Sequence, residues 1–336
     1  MKKKRILNIL ISVAVAVLFV QLAVKNVDLG ELWQQMKMAT FYWLPFFVLV
    51  LLVSHSMRAE RWRLLLANNG ERIPRSTLFA GVMLGYVLNN VVPRLGEISR
   101  PVYVARKQGM SSSNLIGTIV VERLFDLATM MLLIVFVSFY LISDIGLLEQ
   151  LFGTESWPWY AYLAIPLFFL LVIVGIWLIY KILNYSDKKE PFNSSILNKI
   201  LDKGRSFTEG VISIRHVKNW PMFLLLTAGI WIGYIFMTYL PFYMMGLQTA
   251  YGLTMSDAVV LTMVSSIGVS IPTPAGIGSY HLLIQQSMWL LYNIPLVTAL
   301  TYATIAHGVT VILVFIIGPI SLWWDKYATL RAGNPN

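Results

Sequence analysis

Residues 220–246 read WPMFLLLTAGIWIGYIFMTYLPFYMMG, a run with no Asp, Glu, Lys, Arg or His. A membrane-spanning helix needs about 20 predominantly apolar residues, so this run is long enough to cross a bilayer. Working outward, the only charged side chain between Lys218 and Asp325 is Asp257. A stretch of about 106 residues with one charge is expected of a membrane interior. The whole chain has 336 residues, 57% of them hydrophobic and 12% charged. Its mean hydropathy is +0.68. An average globular protein carries about 25% charged residues. Half that fraction leaves too little polar surface to cover a soluble particle. The expected fold class is therefore all-α, a polytopic integral membrane helical bundle.

There are no cysteines, which removes disulfides, thiolate metal sites and cysteine nucleophiles and leaves the compartment open. The net charge of +10 is not read as a nucleic-acid signal. The basic residues sit in short segments beside apolar runs, where they set topology and meet anionic lipid.

The N-terminus, Met1-Lys2-Lys3-Lys4-Arg5 before Ile6 to Val24, resembles a signal peptide. Its apolar run of ~19 residues exceeds the usual core of one, and no A-x-A site follows, so a retained first helix with a cytoplasmic N-terminus is expected. Phe41 to Met57 is the second expected span, anchored by Tyr42 and Trp43. Arg58, Arg61, Arg63, Arg72 and Arg75 then read as a basic cytoplasmic loop. Leu78 to Val92 is apolar but short, and both flanks are basic. A re-entrant hairpin over 78–100, entering and leaving on the cytoplasmic side, avoids placing one basic cluster outside.

Further spans are expected at Asn114 to Ile142, Trp159 to Leu183, Trp220 to Gly246 and Leu296 to Trp324. Lys188 to Lys218 has the spacing of an amphipathic helix on the cytoplasmic surface. Thr254 to Ile271 and Ile277 to Leu291 are split by Pro272-Thr273-Pro274-Ala275-Gly276. With a cytoplasmic C-terminus they form a second re-entrant hairpin over 254–291, entering from outside; ordinary two-span hairpins are the alternative. The chain is thus one transmembrane domain, 1–336, with six spans and two opposed hairpins. Its halves, 1–183 and 220–336, would be related as the inverted repeats of transporters are, with broken helices meeting near the midplane.

Three stretches can carry chemistry. In Asn90-Val91-Val92-Pro93-Arg94-Leu95-Gly96-Glu97-Ile98-Ser99-Arg100, Pro93 and Gly96 should break the helix. Arg94 and Arg100 are candidates to bind phosphate, and Glu97 to pair with either arginine or receive a cationic substrate group. An interfacial salt-bridge staple is the structural alternative. In Glu122-Arg123-Leu124-Phe125-Asp126 the two acids share a helix face, and all three ionisable groups should point into the bundle. They either neutralise Arg94 or Arg100 or line a cavity. At Pro272 to His281, with Pro274, Gly276, Gly278 and His281 as candidates, a helix N-terminus would follow the break and offer an anion site. An interhelical turn is the alternative there. His55 and His307 read as packing residues. No zinc-protease, nucleophile-elbow, P-loop or dinucleotide motif is found, so neither an enzyme, a cofactor nor a metal is expected.

Four motifs together resemble the lysylphosphatidylglycerol synthase transmembrane region, a flippase-like membrane domain family. They are Arg58-Ala59-Glu60-Arg61-Trp62-Arg63-Leu64-Leu65, Asn90 with Pro93, Gly96, Glu97 and Arg100, Val121-Glu122-Arg123 with Asp126, and the Pro272 to Gly278 break. The resemblance implies a multi-pass inner-membrane protein that moves lipids or lipid-linked head groups between leaflets. Its partners would be a membrane phospholipid or polyprenyl-linked lipid and a separate synthase or glycosyltransferase. Two-part family members also carry a soluble synthase. This chain ends about a dozen residues after its last span, so lipid aminoacylation is expected to be absent. Where the family usually has P-G-G-x-G-x-x-E, this chain has Ala275 for the first glycine of the pair and His281 for the glutamate. That leaves the charge of the substrate open. A transporter of a small polar solute and a non-transporting scaffold subunit remain the other readings, and the oligomeric state is not legible.

Overall fold

The computed structural model describes residues 2–66, 72–141 and 217–331, and among these the regular structure is entirely helical. The described helices of ten residues or more are α1 (Lys2–Val24), α2 (Leu29–Met38), α3 (Leu44–Leu65), α4 (Arg75–Val91), α5 (Leu95–Gln108), α6 (Ser112–Leu141), α7 (Trp220–Met244), α8 (Met255–Ser270), α9 (Ser279–Tyr292) and α10 (Leu296–Arg331). Among the described residues, three stretches are long and apolar enough to cross a membrane: Phe41–Leu65, Trp220–Met244 and Leu296–Arg331. Ile11–Val24 with Leu29–Met38, bent by 86°, makes a fourth if the pair is one span. The expected span Trp159 to Leu183 and the amphipathic segment up to residue 216 lie outside the described residues.

Local chemistry sets the helix ends. Asn219 accepts the Met222 backbone N–H at 3.0 Å, and Pro221 occupies the first turn of α7, where no N–H is needed. Thr254 and Asp257 form a capping box at the start of α8, the Thr254 N–H donating to the carboxylate at 2.7 Å. Asp28 accepts from Gly30 N–H at 2.7 Å and so starts α2, a helix with no counterpart in the sequence reading.

Helices α3 and α7 run antiparallel. Trp43 at the start of one packs at a tilt against Tyr243 near the end of the other, with ring centroids 5.3 Å apart, and Ser54 donates to the Ile230 carbonyl at 3.3 Å. Helix α10 returns alongside, with Tyr302 donating to the Thr238 carbonyl at 2.6 Å and its last turns packed on α4. Two helical hairpins sit against this frame. Helices α4 and α5 pack on each other and, with Phe223 near the start of α7, form one apolar centre around Trp62, Leu78, Val82, Val104 and Leu115. Helices α8 and α9 do the same with Phe242 near the end of α7, around Leu261, Ile284, Met288, Ala299 and Tyr302. The two centres therefore lie at opposite ends of α7. The Pro274–Gly276 turn of the second hairpin packs against α4 of the first.

The first hairpin closes through glycine. The Gly96 N–H donates to Asn89 Oδ1 at 2.6 Å, and a Cβ on Gly96 would overlap the Gly85 carbonyl. Gly96→Ala must push α4 and α5 apart and is expected to destabilise the protein by about 1–3 kcal/mol. Gly308→Ala, a helical position with nothing within 4 Å of the added carbon, is the matched control. The check is the thermal midpoint of the monodisperse protein in detergent, lowered for the first variant alone.

Several boundaries differ from the sequence reading. The basic segment from Arg58 is the last part of helix α3, with Arg58 and Arg61 buried, rather than a loop. The first hairpin extends over Arg75–Gln108 instead of 78–100. Helix α10 runs past the expected end at Trp324 to Arg331, with Asp325 buried inside it. For Arg58, Arg61 and Asp325 a partner from elsewhere in the chain makes burial of the charge tolerable, and hydropathy along the chain does not register such partners.

Candidate functional site

Arg58 and Arg61 lie one turn apart on α3 and face Glu122 and Asp126, one turn apart on α6. Arg58 Nε meets Glu122 Oε1 at 2.7 Å, and Arg58 Nη2 meets Asp126 Oδ2 at 2.5 Å. Arg61 Nη2 lies 2.7 Å from Asp126 Oδ1 and 3.3 Å from Glu122 Oε1. Arg100, from α5, brings Nη1 within 3.1 Å of Glu122 Oε2 and stacks its guanidinium 4.1 Å from the Trp62 ring centroid. Arg58, Arg61, Arg100 and Glu122 are all buried. Three guanidinium groups thus share two carboxylates, leaving one excess positive charge where water cannot screen it. Arg61 Nε and Arg100 Nε and Nη2 have no hydrogen-bond partner among the described residues.

Two phenols extend the cluster. Arg58 Nη1 donates to Tyr86 Oη at 2.9 Å and also to Tyr234 Oη, and the two phenol oxygens are 3.1 Å apart. Each oxygen accepts from Arg58, and one hydroxyl hydrogen is shared between them. One phenol hydrogen therefore remains to donate elsewhere.

It has somewhere to point. A cavity of about 540 Å³ is lined by Arg58, Tyr86, Asp126 and Tyr234, and also by Ser265, Ser266 and Thr310. That volume is in the range of a small-molecule site. Ala275, in the break between α8 and α9, lines it too, so the cavity reaches from the charged cluster to the second hairpin. His55, stacked on Tyr86 with ring centroids 4.4 Å apart, and Trp231 also line the cavity. Both ring nitrogens of His55, and Trp231 Nε1, lack partners among the described residues.

The residues singled out in the sequence fall into three groups. Asn90, Arg123 and Asp126 line the cavity, whereas Arg100 and Glu122 sit in the buried cluster behind it. Arg94 caps α5 in a left-handed conformation, φ 63°, and Glu97 lies 3.3 Å from Arg123 Nε, both side chains being close to half exposed. Pro274 and Gly276 form the turn of the second hairpin, and Gly276 and Gly278 have φ 74° and 85°. His281 Nδ1 accepts the Gly278 N–H at 3.4 Å, and its ring centroid is 5.2 Å from that of His307. The sequence reading did not place His55, Arg58, Arg61, Tyr86, Trp231 or Tyr234 in a site. The three-residue spacing of Arg58 and Arg61, on the helix face that also carries Trp62 and Leu65, is the signal that it passed over.

Comparison with known proteins gives three findings. The family described as "Lysylphosphatidylglycerol synthase TM region" matches residues 9–318. A UPF0104 membrane protein of Methanocaldococcus jannaschii is 25% identical over 285 residues, 82% of each chain. A second UPF0104 membrane protein of that organism is 28% identical over 193 residues, 57% of this chain and 74% of the relative. No solved structure matches.

Proposed function

Because the chain belongs to the lysylphosphatidylglycerol synthase transmembrane-region family, we propose that it is a flippase-like transporter that carries a phospholipid or lipid-linked head group between leaflets. The observation that carries this reading is the excess guanidinium charge beside a cavity that reaches both hairpins. On this reading the lipid phosphate binds at that end. Arg123 is the most available cation, because its contacts to Glu97 and Asp126 are long, 3.3 and 3.9 Å, and it is 47% exposed. The free phenol hydrogen of the Tyr86 and Tyr234 pair and the Trp231 N–H add neutral donors.

The proposed topology has six spans, with both termini on the cytoplasmic side of the inner membrane. Hairpin α4–α5 enters from that side and hairpin α8–α9 from the other. The packing of their apolar centres at opposite ends of α7 supports this arrangement. The acyl chains would stay in the bilayer while the head group crosses through the cavity, and no bond is made or broken. A separate synthase or glycosyltransferase would supply the lipid.

Reconstitution into liposomes with labelled lipids tests the reading. Arg123→Gln removes a half-exposed charge and should leave the fold intact, but it removes a charge-assisted contact worth about 1.5–3 kcal/mol. Translocation is expected to slow by about tenfold or more. Wild-type rates equal to those of protein-free liposomes for anionic, aminoacylated and polyprenyl-phosphate lipids would sink the proposal. Accumulation of a soluble phosphate ester without lipid movement would favour a small-solute transporter.

A further inference from the structure

Resting on the transport reading above, we propose that the cavity selects a lipid whose phosphodiester carries a neutral, hydroxylated head group, and that it discriminates against cationic head groups. Hydroxyls on α8 and α10 also line the cavity. Ser265 and Ser266 both donate to the Thr262 carbonyl, at 2.7 and 2.8 Å. Ser270 donates to the Ile267 carbonyl at 2.7 Å, and Thr310 to the Ala306 carbonyl at 2.9 Å. Each hydroxyl has committed its hydrogen to its own helix and retains oxygen lone pairs as acceptors. The cavity therefore offers two chemistries: arginine donors that suit a phosphate, and hydroxyl acceptors that suit O–H or N–H groups.

Charge decides between those two. Asp126 is the only acidic side chain among the described residues that line the cavity. Its oxygens are already held by Arg58 at 2.5 Å and Arg61 at 2.7 Å. An ammonium group would enter a site that carries excess positive charge and has no uncommitted carboxylate, and burying it unpaired is strongly unfavourable. A head-group hydroxyl meets the same serine and threonine oxygens without that penalty. Glycerol, inositol and sugar head groups share this chemistry.

The test is a set of translocation rates in one liposome preparation. Phosphatidylglycerol and phosphatidylinositol represent the hydroxylated class, and phosphatidylethanolamine and lysylphosphatidylglycerol the cationic class, all labelled on the same acyl chain. The hydroxylated lipids are expected to move at least about tenfold faster than the cationic ones. Ser265→Ala/Ser266→Ala, whose hydroxyls bond only their own helix, should keep the fold, slow the hydroxylated lipids and so narrow that preference, while the arginine charge still disfavours the cationic ones. Ser266→Asp should shift it toward lysylphosphatidylglycerol. Cationic lipids moving as fast as hydroxylated ones, or a preference unchanged in the double-alanine variant, overturns the inference and leaves the transport reading standing. Movement of no lipid above the protein-free rate overturns both.

Discussion

Glu122→Ala is expected to be among the most destabilising single substitutions in the protein, by about 3–5 kcal/mol, because it breaks a buried ion pair by removing one partner. Glu122 touches Arg58, Arg61 and Arg100, which come from two other helices. Without it, Asp126 alone faces three buried guanidinium groups, and the excess positive charge doubles. Asp126→Ala loses the same charge but is expected to be milder, since Asp126 is 16% exposed and borders the cavity, where water can enter. The thermal midpoint in detergent separates the two. A charge-balancing double substitution sharpens the test. Arg100→Met added to Glu122→Gln restores the three-against-two imbalance to two against one, and the double variant is expected to be more stable than the sum of the single effects. Additive losses would show that Glu122 acts through packing rather than charge.

Asp325→Ala is expected to cost a similar amount, about 3–5 kcal/mol. This carboxylate is fully buried near the end of α10. It accepts from Ser76 at 3.0 Å, Thr77 at 2.7 Å, Tyr103 at 2.5 Å and Lys107 at 2.5 Å. Those four donors lie at the start of α4 and along α5, so one side chain ties α10 to both ends of the first hairpin. Alanine leaves the Tyr103 phenol without its acceptor and the partly buried Lys107 ammonium, 19% exposed, with only the backbone carbonyl of residue 325. Asp325→Asn keeps the shape and some hydrogen bonds while losing the charge, and it should fall between wild type and alanine. Equal midpoints for alanine and wild type would mean that apolar packing on α4 suffices to hold α10.

Most of the helices were legible before any tertiary contact was known. The run from Trp220 carries its own start signals in Asn219 and Pro221. The breaks at Pro93 and at Pro272 to Gly278 announce themselves through missing backbone donors and glycine. Glu122 and Asp126 stand out because ionisable groups in an apolar helix need partners. The identity of those partners was not legible. The sequence reading assigned them to Arg94 or Arg100 and sent Arg58 and Arg61 to water, as hydropathy does with any basic cluster. In the fold, Arg100 does meet Glu122, but Arg58 and Arg61 take the larger share of both carboxylates. Glu97 pairs with Arg123 instead of standing free for a head group.

The sequence by itself determined that this chain is a bundle of membrane helices and where those helices break. Both follow from local composition: a run of apolar side chains favours lipid wherever it packs, and proline and glycine alter the backbone at their own positions. The tertiary structure alone decided which charges are buried, how they are shared and that a cavity lies beside them. Whether Arg58 faces water or the core depends on carboxylates more than 60 residues away, because the desolvation of a buried ion is offset only by an opposite charge within a few ångströms.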